Sequence, residues 1–185
     1  MLYTLRPYQS EILDEARALM HSGHRGILVQ SPTGSGKTML TAHMLKTAAS
    51  KGMRSLFIVH RRELIKQSIE AFNKVGVHHG VIAAGFPAKD GELTQIASIQ
   101  TLRNREIKEP TLIIWDECHH VSAGTWNETY QKYQGAFHIG LTATPLRLDG
   151  TGLNKWFTKL IKGPTVTWLI ENGYLSKYKL FAPPL

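Results

Sequence analysis

The eight residues from Ser31 to Thr38, which read SPTGSGKT, constrain this chain more than any other stretch of its sequence. The apolar run from Gly26 to Gln30 before them predicts a short buried strand, and Gly36 to Ser50 carries helix formers with apolar residues at helical spacing. A glycine-rich loop between a strand and a helix N-terminus presents backbone N–H groups and the positive end of the helix dipole to an anion. The sequence therefore predicts a phosphate-binding loop.

Several residues of this loop have predicted roles. Gly34 and Gly36 leave room for backbone N–H groups to approach phosphate oxygens, Lys37 neutralises the β and γ phosphates, and the Thr38 hydroxyl binds Mg²⁺. Ser31 stands where the general pattern G-x-x-x-x-G-K-[ST] has its first glycine. A glycine-rich turn with a chance Lys-Thr pair is the alternative, and the flanking strand and helix disfavour it. The predicted nucleotide-binding residues of the loop are Thr33, Gly34, Ser35, Gly36, Lys37 and Thr38.

Length and charge narrow the possibilities further. The 185 residues suit one domain with a sizeable core, and no apolar run approaches the roughly 18 residues of a membrane span. Arg6, Glu11 and Asp14 are among the charges near the N-terminus, so we expect no signal peptide and a cytoplasmic protein. Cys118 is the single cysteine and cannot form an internal disulfide. The net charge of +8 indicates a polyanionic partner such as nucleic acid, although it could serve solubility alone.

Strand-like and helix-like segments alternate along the chain, which indicates βαβ units. The predicted fold is α/β, a mostly parallel sheet with helices on both faces, in which ligands bind at the carboxyl ends of strands. The predicted strands are residues 26–30, 55–60, 95–98, 111–116 and 137–142, and the predicted helices are residues 7–21, 36–50 and 61–75.

Two carboxylates follow the apolar run TLIIWD at residues 111–116. Asp116 would share Mg²⁺ with Thr38, and Glu117 would orient or deprotonate the attacking water of a phosphoryl-transfer reaction. A solvated turn is the alternative for an acidic pair, and the phosphate loop upstream disfavours it. Cys118 and His119 are rejected as a metal pair or a nucleophile with its base, because there is no second cysteine and no matching ligand spacing.

Three motifs in order carry a resemblance: SPTGSGKT, then DECH at residues 116–119, then TATP at residues 142–145. With these motifs the chain resembles the first RecA-like motor domain of superfamily 2 helicases. The further segments LRPYQ (residues 5–9), HRRELIKQ (residues 60–67) and TATPLRLDG (residues 142–150) resemble the branch of type III restriction helicase subunits, RadD-like repair helicases and phage helicases.

The resemblance implies roles for further residues. Gln9 would read the adenine edge, with Arg6 also at the nucleotide, and His119, Thr142 and Thr144 would couple the nucleotide site to nucleic acid. The threonine hydroxyls would do so by bonding to the acids near Asp116. The implied nucleic-acid contacts are His60, Arg61, Arg62, Gln100, Thr101 and Arg147.

The backbone-gripping role of Arg61 and Arg62 also has independent physical support. Cations at a helix start are disfavoured by the helix dipole unless a phosphate lies between them, although Glu63 could instead pair with them as an ordinary cap.

The predicted domain organisation is a RecA-like ATP-binding domain over residues 1–163, followed over residues 164–185 by a helix (TVTWLIENG) and an extended linker. A second RecA-like domain, expected beyond it, would supply arginine fingers, so the isolated chain should hydrolyse ATP weakly. We expect an ATP- and Mg²⁺-dependent helicase or translocase acting on DNA rather than RNA. A nucleotide-dependent switch module and an RNA helicase remain alternatives. A GTPase or P-loop kinase is disfavoured, because the guanine-reading N-K-x-D is absent.

Overall fold

The computed structural model describes residues 4–120, 124–145 and 152–178. Within these ranges seven strands form one sheet in the order β3-β4-β2-β5-β6-β1-β7, and every neighbouring pair is parallel. The strands are β1 (Gly26–Gln30), β2 (Ser55–Val59), β3 (Gly80–Ile82), β4 (Thr94–Ser98), β5 (Leu112–Asp116), β6 (Phe137–Thr142) and β7 (Lys159–Lys162). The helices are α1 (Pro7–His21), α2 (Lys37–Ser50), α3 (Arg62–Val75), α4 (Ile99–Leu102), α5 (Gly124–Lys132) and α6 (Val166–Glu171), and a 3-10 turn spans Cys118–His120.

The apolar strands bury side chains on both faces of the sheet. Along β2, for example, Phe57 and Val59 belong to one buried cluster, and Leu56 and Ile58 belong to the other. The first cluster lies against α1, α2 and α3, and the second lies against α4 and α5. Strands covered on both faces read as continuous apolar runs, which is why the sequence reveals them. The predicted α/β fold with helices on both faces is confirmed.

The described part of the chain contains no helix long and apolar enough to cross a bilayer.

A buried histidine lies in the core beside β5. His138 is 1% exposed, and its ring stacks on Trp115 with ring centroids 5.8 Å apart. Trp115 Nε1 donates to His138 Nδ1 at 3.0 Å, so Nδ1 is unprotonated and Nε2–H donates to the Tyr133 carbonyl at 2.9 Å. The pKa of His138 is lowered to about 4, mainly by burial and also by the charge of Arg25, and the hydrogen bond to the Tyr133 carbonyl opposes this decrease. His138 is therefore neutral in the folded protein at physiological pH.

We expect this residue to make folding stability depend on pH. The pKa of an unfolded histidine is 6.5 and the pKa of His138 in the folded protein is about 4. The contribution of neutral His138 to folding stability is therefore complete above pH 6.5 and is lost as the pH falls toward 4. At about 1.4 kcal/mol per pKa unit, the free energy of unfolding should fall by about 2 kcal/mol between pH 7 and pH 5 on account of His138. Urea unfolding of the wild type and of His138→Gln at both pH values measures this. An equal pH dependence in the two proteins would contradict the assignment.

Candidate functional site

The predicted phosphate loop joins β1 to α2. Gly34 and Gly36 have left-handed backbone angles (φ 81° and 82°), and Gly36 is the N-cap of α2. A Cβ at Gly36 would lie 2.6 Å from Gln9 Nε2, so another residue there would displace a buried side chain. Ser31, which replaces the first glycine of the general pattern, donates through Oγ to Ser35 Oγ at 2.7 Å. The departure from the pattern therefore adds a hydrogen bond that closes the loop.

Lys37, the first residue of α2, points into this loop. Its Nζ donates to the carbonyls of Ser31 and Pro32 at 3.1 and 3.3 Å. Thr33 and Gly34 are exposed at the tip of the loop, and Thr38 is half-buried behind it. The loop thus places a cation beside exposed backbone at a helix N-terminus, an arrangement suited to phosphate.

Side chains at the start of α1 donate hydrogen bonds to the phosphate loop. Gln9 is 1% exposed, and its Nε2 donates to the carbonyls of Ser35 and Gly36 at 3.1 and 3.3 Å. Its Oε1 accepts from the backbone N–H of Arg6 at 2.9 Å, which caps α1. Tyr8 adds a donation from its hydroxyl to the Ser35 carbonyl at 2.7 Å. Gln9 therefore supports the phosphate loop directly, and its contact with adenine stays a prediction.

Asp116 lies at the carboxyl end of β5, as the sequence predicts. The pKa of Asp116 is raised to about 6, mainly by burial and also by the charge of Glu117, and the charge of Lys37 opposes this increase. A buried carboxylate with a raised pKa gains free energy from a cation, because the cation offsets the desolvation of its charge. Asp116 could therefore hold a metal ion. Its electrostatic interaction with Lys37 shows that it lies near the phosphate loop.

Glu117 has a left-handed backbone (φ 49°), the one such angle at a non-glycine residue within the described ranges. Such a conformation is uncommon for glutamate and is often found at functional sites. It turns the chain from β5 into the 3-10 turn that begins at Cys118. Burial raises the pKa of the Cys118 thiol well above its usual range, and the charges of Glu117 and Asp116 raise it further. Cys118 is therefore a protonated core residue, in agreement with its rejection as a nucleophile.

His119 connects Glu117 to the end of β6. Its Nδ1 lies 3.4 Å from Glu117 Oε2 and 3.2 Å from Thr142 Oγ1. The Thr142 hydroxyl donates its one hydrogen to the Thr144 carbonyl at 2.8 Å, so toward His119 it accepts, and Nδ1 carries the proton. The expectation that Thr142 bonds directly to an acid is corrected, because His119 lies between the hydroxyl and Glu117. Thr144 takes part through its backbone N–H, which donates to Thr142 Oγ1 at 3.1 Å.

The residues predicted to contact nucleic acid follow β2 and β4. Arg61 is the N-cap of α3 and Arg62 is its first residue, and both are exposed. Gln100 is exposed, and its Nε2 donates to the His60 carbonyl at 3.4 Å. Thr101 is half-buried in α4. These residues share one surface, whereas Arg147 lies outside the described residues.

His60 differs from the arginines in its charge. Burial lowers the pKa of His60, and Arg61 and His119 lower it further against the opposing effect of Glu117. A neutral imidazole contacts phosphate by hydrogen bonding alone. His120 lies between this residue and the DECH segment, with ring centroids 4.8 Å from His60 and 4.2 Å from His119.

The order of the strands explains why these groups meet. Strands β4, β2, β5, β6 and β1 are consecutive neighbours, and all run in the same direction. Their carboxyl ends therefore lie side by side, as expected for a ligand-binding edge. The residues along this edge, in strand order, are Gln100, Arg61, Glu117, Thr142 and Ser31. Arg61 and Arg62 therefore lie on one side of Asp116 and Glu117, and the phosphate loop lies on the other.

Sequence reasoning missed the contacts that reach the loop from distant segments. Tyr8 lies between the noted residues Arg6 and Gln9, but nothing local indicates that its hydroxyl reaches the Ser35 carbonyl. Leu175 packs on the loop from the other end of the chain, since a Cβ at Gly34 would lie 2.8 Å from its Cδ2. These contacts depend on tertiary packing, for which the sequence carries no spacing signal.

Similarity to a solved structure supports the fold. The UvsW helicase from bacteriophage T4 superposes with a TM-score of 0.66 over 85% of this chain and 59% of that chain, at 18% sequence identity. At this identity the match establishes the RecA-like fold alone.

Comparison with known sequences identifies the family. Residues 2–147 match the family described as type III restriction enzyme, res subunit. A 51.5 kDa protein of a Lactococcus phage is 39% identical over 157 residues, covering 85% of this chain and 32% of the relative. The DNA 3′-5′ translocase XPB2 of Sulfurisphaera tokodaii is 31% identical over 183 residues, covering 95% of this chain and 39% of the relative. The chain thus spans about a third of the length of these relatives. The resemblance to superfamily 2 motor domains is confirmed, and the chain belongs to the type III restriction enzyme res subunit family.

Proposed function

We propose that this chain is the ATP-binding first motor domain of an ATP-dependent DNA helicase or translocase. The observation that carries the proposal is the placement of the phosphate loop, Asp116, Glu117 and the exposed arginines on one edge of the sheet. ATP phosphates would lie on residues 31–38, with Lys37 beside them. Glu117 would orient or deprotonate the attacking water. The name of the Sulfurisphaera tokodaii relative favours DNA over RNA.

The residues of the site also fit Mg²⁺. Asp116 offers a carboxylate whose raised pKa reports an environment that favours a nearby cation, and Thr38 offers a hydroxyl. Oxygen ligands of this kind are those that Mg²⁺ takes in nucleotide sites. When bound, the metal would neutralise charge on the phosphates.

The link from nucleotide to nucleic acid would run through His119. Its Nδ1 reaches both Glu117 and Thr142, and the Thr142 carbonyl accepts from the Ser31 backbone N–H of the phosphate loop at 2.9 Å. A movement of the phosphate loop would therefore reach the Glu117 carboxylate through Thr142 and His119. We include in the proposal a second RecA-like domain, to which residues 164–185 would form the connection, and a cytoplasmic location. Without arginines from such a domain, hydrolysis by this chain should be slow.

Binding measurements on the chain itself test the proposal. A single-stranded DNA oligonucleotide and Mg-ATP should both bind, each detected by fluorescence anisotropy or calorimetry. An RNA oligonucleotide of the same sequence should bind more weakly. A nucleotide-dependent switch module would bind ATP and neither oligonucleotide. Absence of nucleic-acid binding at low salt would remove the helicase proposal in favour of the switch.

Replacing both exposed arginines should weaken DNA binding by charge alone. Each phosphate contact that is lost reduces the slope of log K against log salt by about 1, so Arg61→Ala with Arg62→Ala should lower the slope by about 1 to 2. Lys51→Ala with Lys108→Ala is the matched control, because both lysines are exposed at the opposite end of the sheet, after α2 and before β5. The control should keep the wild-type slope. Equal slopes in the two double variants would show that Arg61 and Arg62 do not contact the phosphate backbone.

A further inference from the structure

Three histidine rings are packed in a row at the carboxyl edge of the sheet, where the neighbouring strands β2 and β5 end. His60 follows β2, and His119 and His120 belong to the 3-10 turn after β5. The centroid of the His120 ring lies 4.8 Å from that of His60 and 4.2 Å from that of His119. Rings this close are packed against each other, so one cannot move far without displacing the next. His120 is the middle member of this histidine row.

The position of the His120 ring is set by packing. Trp126 of α5 is 5% exposed, and its ring centroid lies 6.1 Å from that of His120 and 5.5 Å from that of the buried Trp115. The His120 backbone N–H donates to the Glu117 carbonyl at 3.2 Å. A half-buried ring held in this way transmits a displacement better than an exposed side chain does.

The His60 and His120 rings are neutral at physiological pH. Burial lowers the pKa of His120, the neighbouring histidines and Arg61 lower it further, and the charge of Glu117 opposes the decrease. Burial also lowers the pKa of His60. Neutral rings pack without the repulsion that two imidazolium charges would cause.

The two ends of the histidine row lie at the two parts of the proposed site. At one end His60 precedes Arg61, the exposed N-cap of α3. The buried Nδ1 of His60 has no hydrogen-bond partner among the described residues, so the ring can shift without losing a bond at that atom. At the other end His119 Nδ1 lies 3.4 Å from Glu117 Oε2.

We propose that His120 is a positioning residue through which nucleic acid bound at His60 and Arg61 aligns the Glu117 carboxylate. This inference rests on the proposed function, which assigns the arginine surface to nucleic acid and Glu117 to the attacking water. A phosphate bound beside Arg61 would shift the His60 ring. Close packing would carry that shift through His120 to His119, which contacts Glu117. Nucleic acid would thereby raise the rate of ATP hydrolysis without acting on the phosphate loop.

The ratio of ATP turnover with saturating single-stranded DNA to turnover without DNA tests this proposal. It is measured on a protein carrying this chain and a second RecA-like domain. We expect His120→Ala to lower the ratio by about 2-fold to 30-fold, the range by which residues packed between two sites change their coupling. His120→Phe keeps a planar ring and should keep the wild-type ratio, whereas His120→Asn removes the ring and should resemble His120→Ala. His78→Ala, at an exposed histidine between α3 and β3, is the control and should also keep the ratio.

Nuclear magnetic resonance of the 185-residue chain follows the histidine row directly. A single-stranded DNA oligonucleotide should shift the Cε1–H resonance of His119 in the wild type and in His120→Phe, and should leave it unshifted in His120→Ala. Fluorescence anisotropy with the same oligonucleotide confirms that each variant is saturated with DNA. If circular dichroism shows that His120→Ala does not fold, His120→Asn replaces it in both measurements.

Four outcomes would overturn the proposal. A wild-type turnover ratio in His120→Ala, even at lower turnover overall, shows that the ring only supports the fold. An equal loss of the ratio in His120→Phe and His120→Ala shows that ring packing does not carry the effect. A His119 resonance that still shifts in His120→Ala shows that DNA reaches His119 by another route. An unsubstituted protein whose turnover does not rise with DNA refutes the proposed function itself, and this inference with it.

Discussion

Lys37→Met is expected to weaken Mg-ATP binding by roughly 30-fold to 1,000-fold, which corresponds to about 2 to 4 kcal/mol. Its Nζ lies within the loop, 3.1 and 3.3 Å from two carbonyls, and would meet the phosphates as a full positive charge. Methionine keeps most of the side-chain volume and removes the charge. Isothermal titration of wild type and variant with Mg-ATP measures the difference.

A second lysine of the same helix provides the control. Lys46 Nζ donates to the Val75 carbonyl at 2.7 Å, which joins α2 to α3 away from the loop. Lys46→Met should therefore lower the thermal stability of the chain and leave ATP affinity unchanged. Lys37→Met should show the opposite pattern, with little loss of stability, because its contacts are two hydrogen bonds at a partly exposed loop. A Lys37→Met chain that retains wild-type ATP affinity would refute the phosphate-loop assignment.

The parts of this site that the sequence predicts are those with a local signal. Strand β1 runs from Gly26 to Gln30, as predicted, because a short apolar run that ends at a glycine-rich loop is typical of a buried strand. Asp116 ends β5 as predicted, since a carboxylate after a buried run must lie where the strand leaves the core. The predicted boundaries of α1 are matched, and α3 begins one residue later than predicted and ends at Val75 as predicted.

The missed parts have no local signal or depend on long-range contacts. Strand β3 has only three residues, and β7 has three exposed residues and one buried residue, Ile161, so neither has the apolar pattern of a buried parallel strand. The partners of Gln9 could not be predicted, because they are backbone carbonyls 26 and 27 residues away. Likewise the place of His119 between Glu117 and Thr142 follows from the pairing of β5 with β6, which brings Asp116 opposite Leu141.

Glu117→Gln should nearly abolish ATP turnover while sparing ATP binding. Loss of a general base costs about 10²-fold to 10⁴-fold in rate, and glutamine keeps the shape of the side chain. The Glu117 charge raises the pKa of Asp116, so the neutral variant should leave Asp116 more readily ionised and its metal affinity undiminished. We expect ATP affinity within about 3-fold of wild type, since in the proposed mechanism the carboxylate would act on the attacking water rather than on the phosphates. Turnover is measured with single-stranded DNA on a protein carrying this chain and a second RecA-like domain.

Two comparisons make the Glu117 result specific. Glu128→Gln removes an exposed carboxylate on α5, 4.0 Å from Arg103, and should leave turnover unchanged. Asp116→Asn should lower turnover too, but unlike Glu117→Gln it should also weaken the Mg²⁺-dependent part of ATP binding, because it removes a proposed metal ligand. Glutamine has the same Cβ and nearly the same shape as glutamate, so the left-handed backbone of residue 117 should persist in Glu117→Gln, and a loss of turnover would then come from the missing charge. Turnover within 10-fold of wild type in Glu117→Gln would assign the water-activating role to another residue.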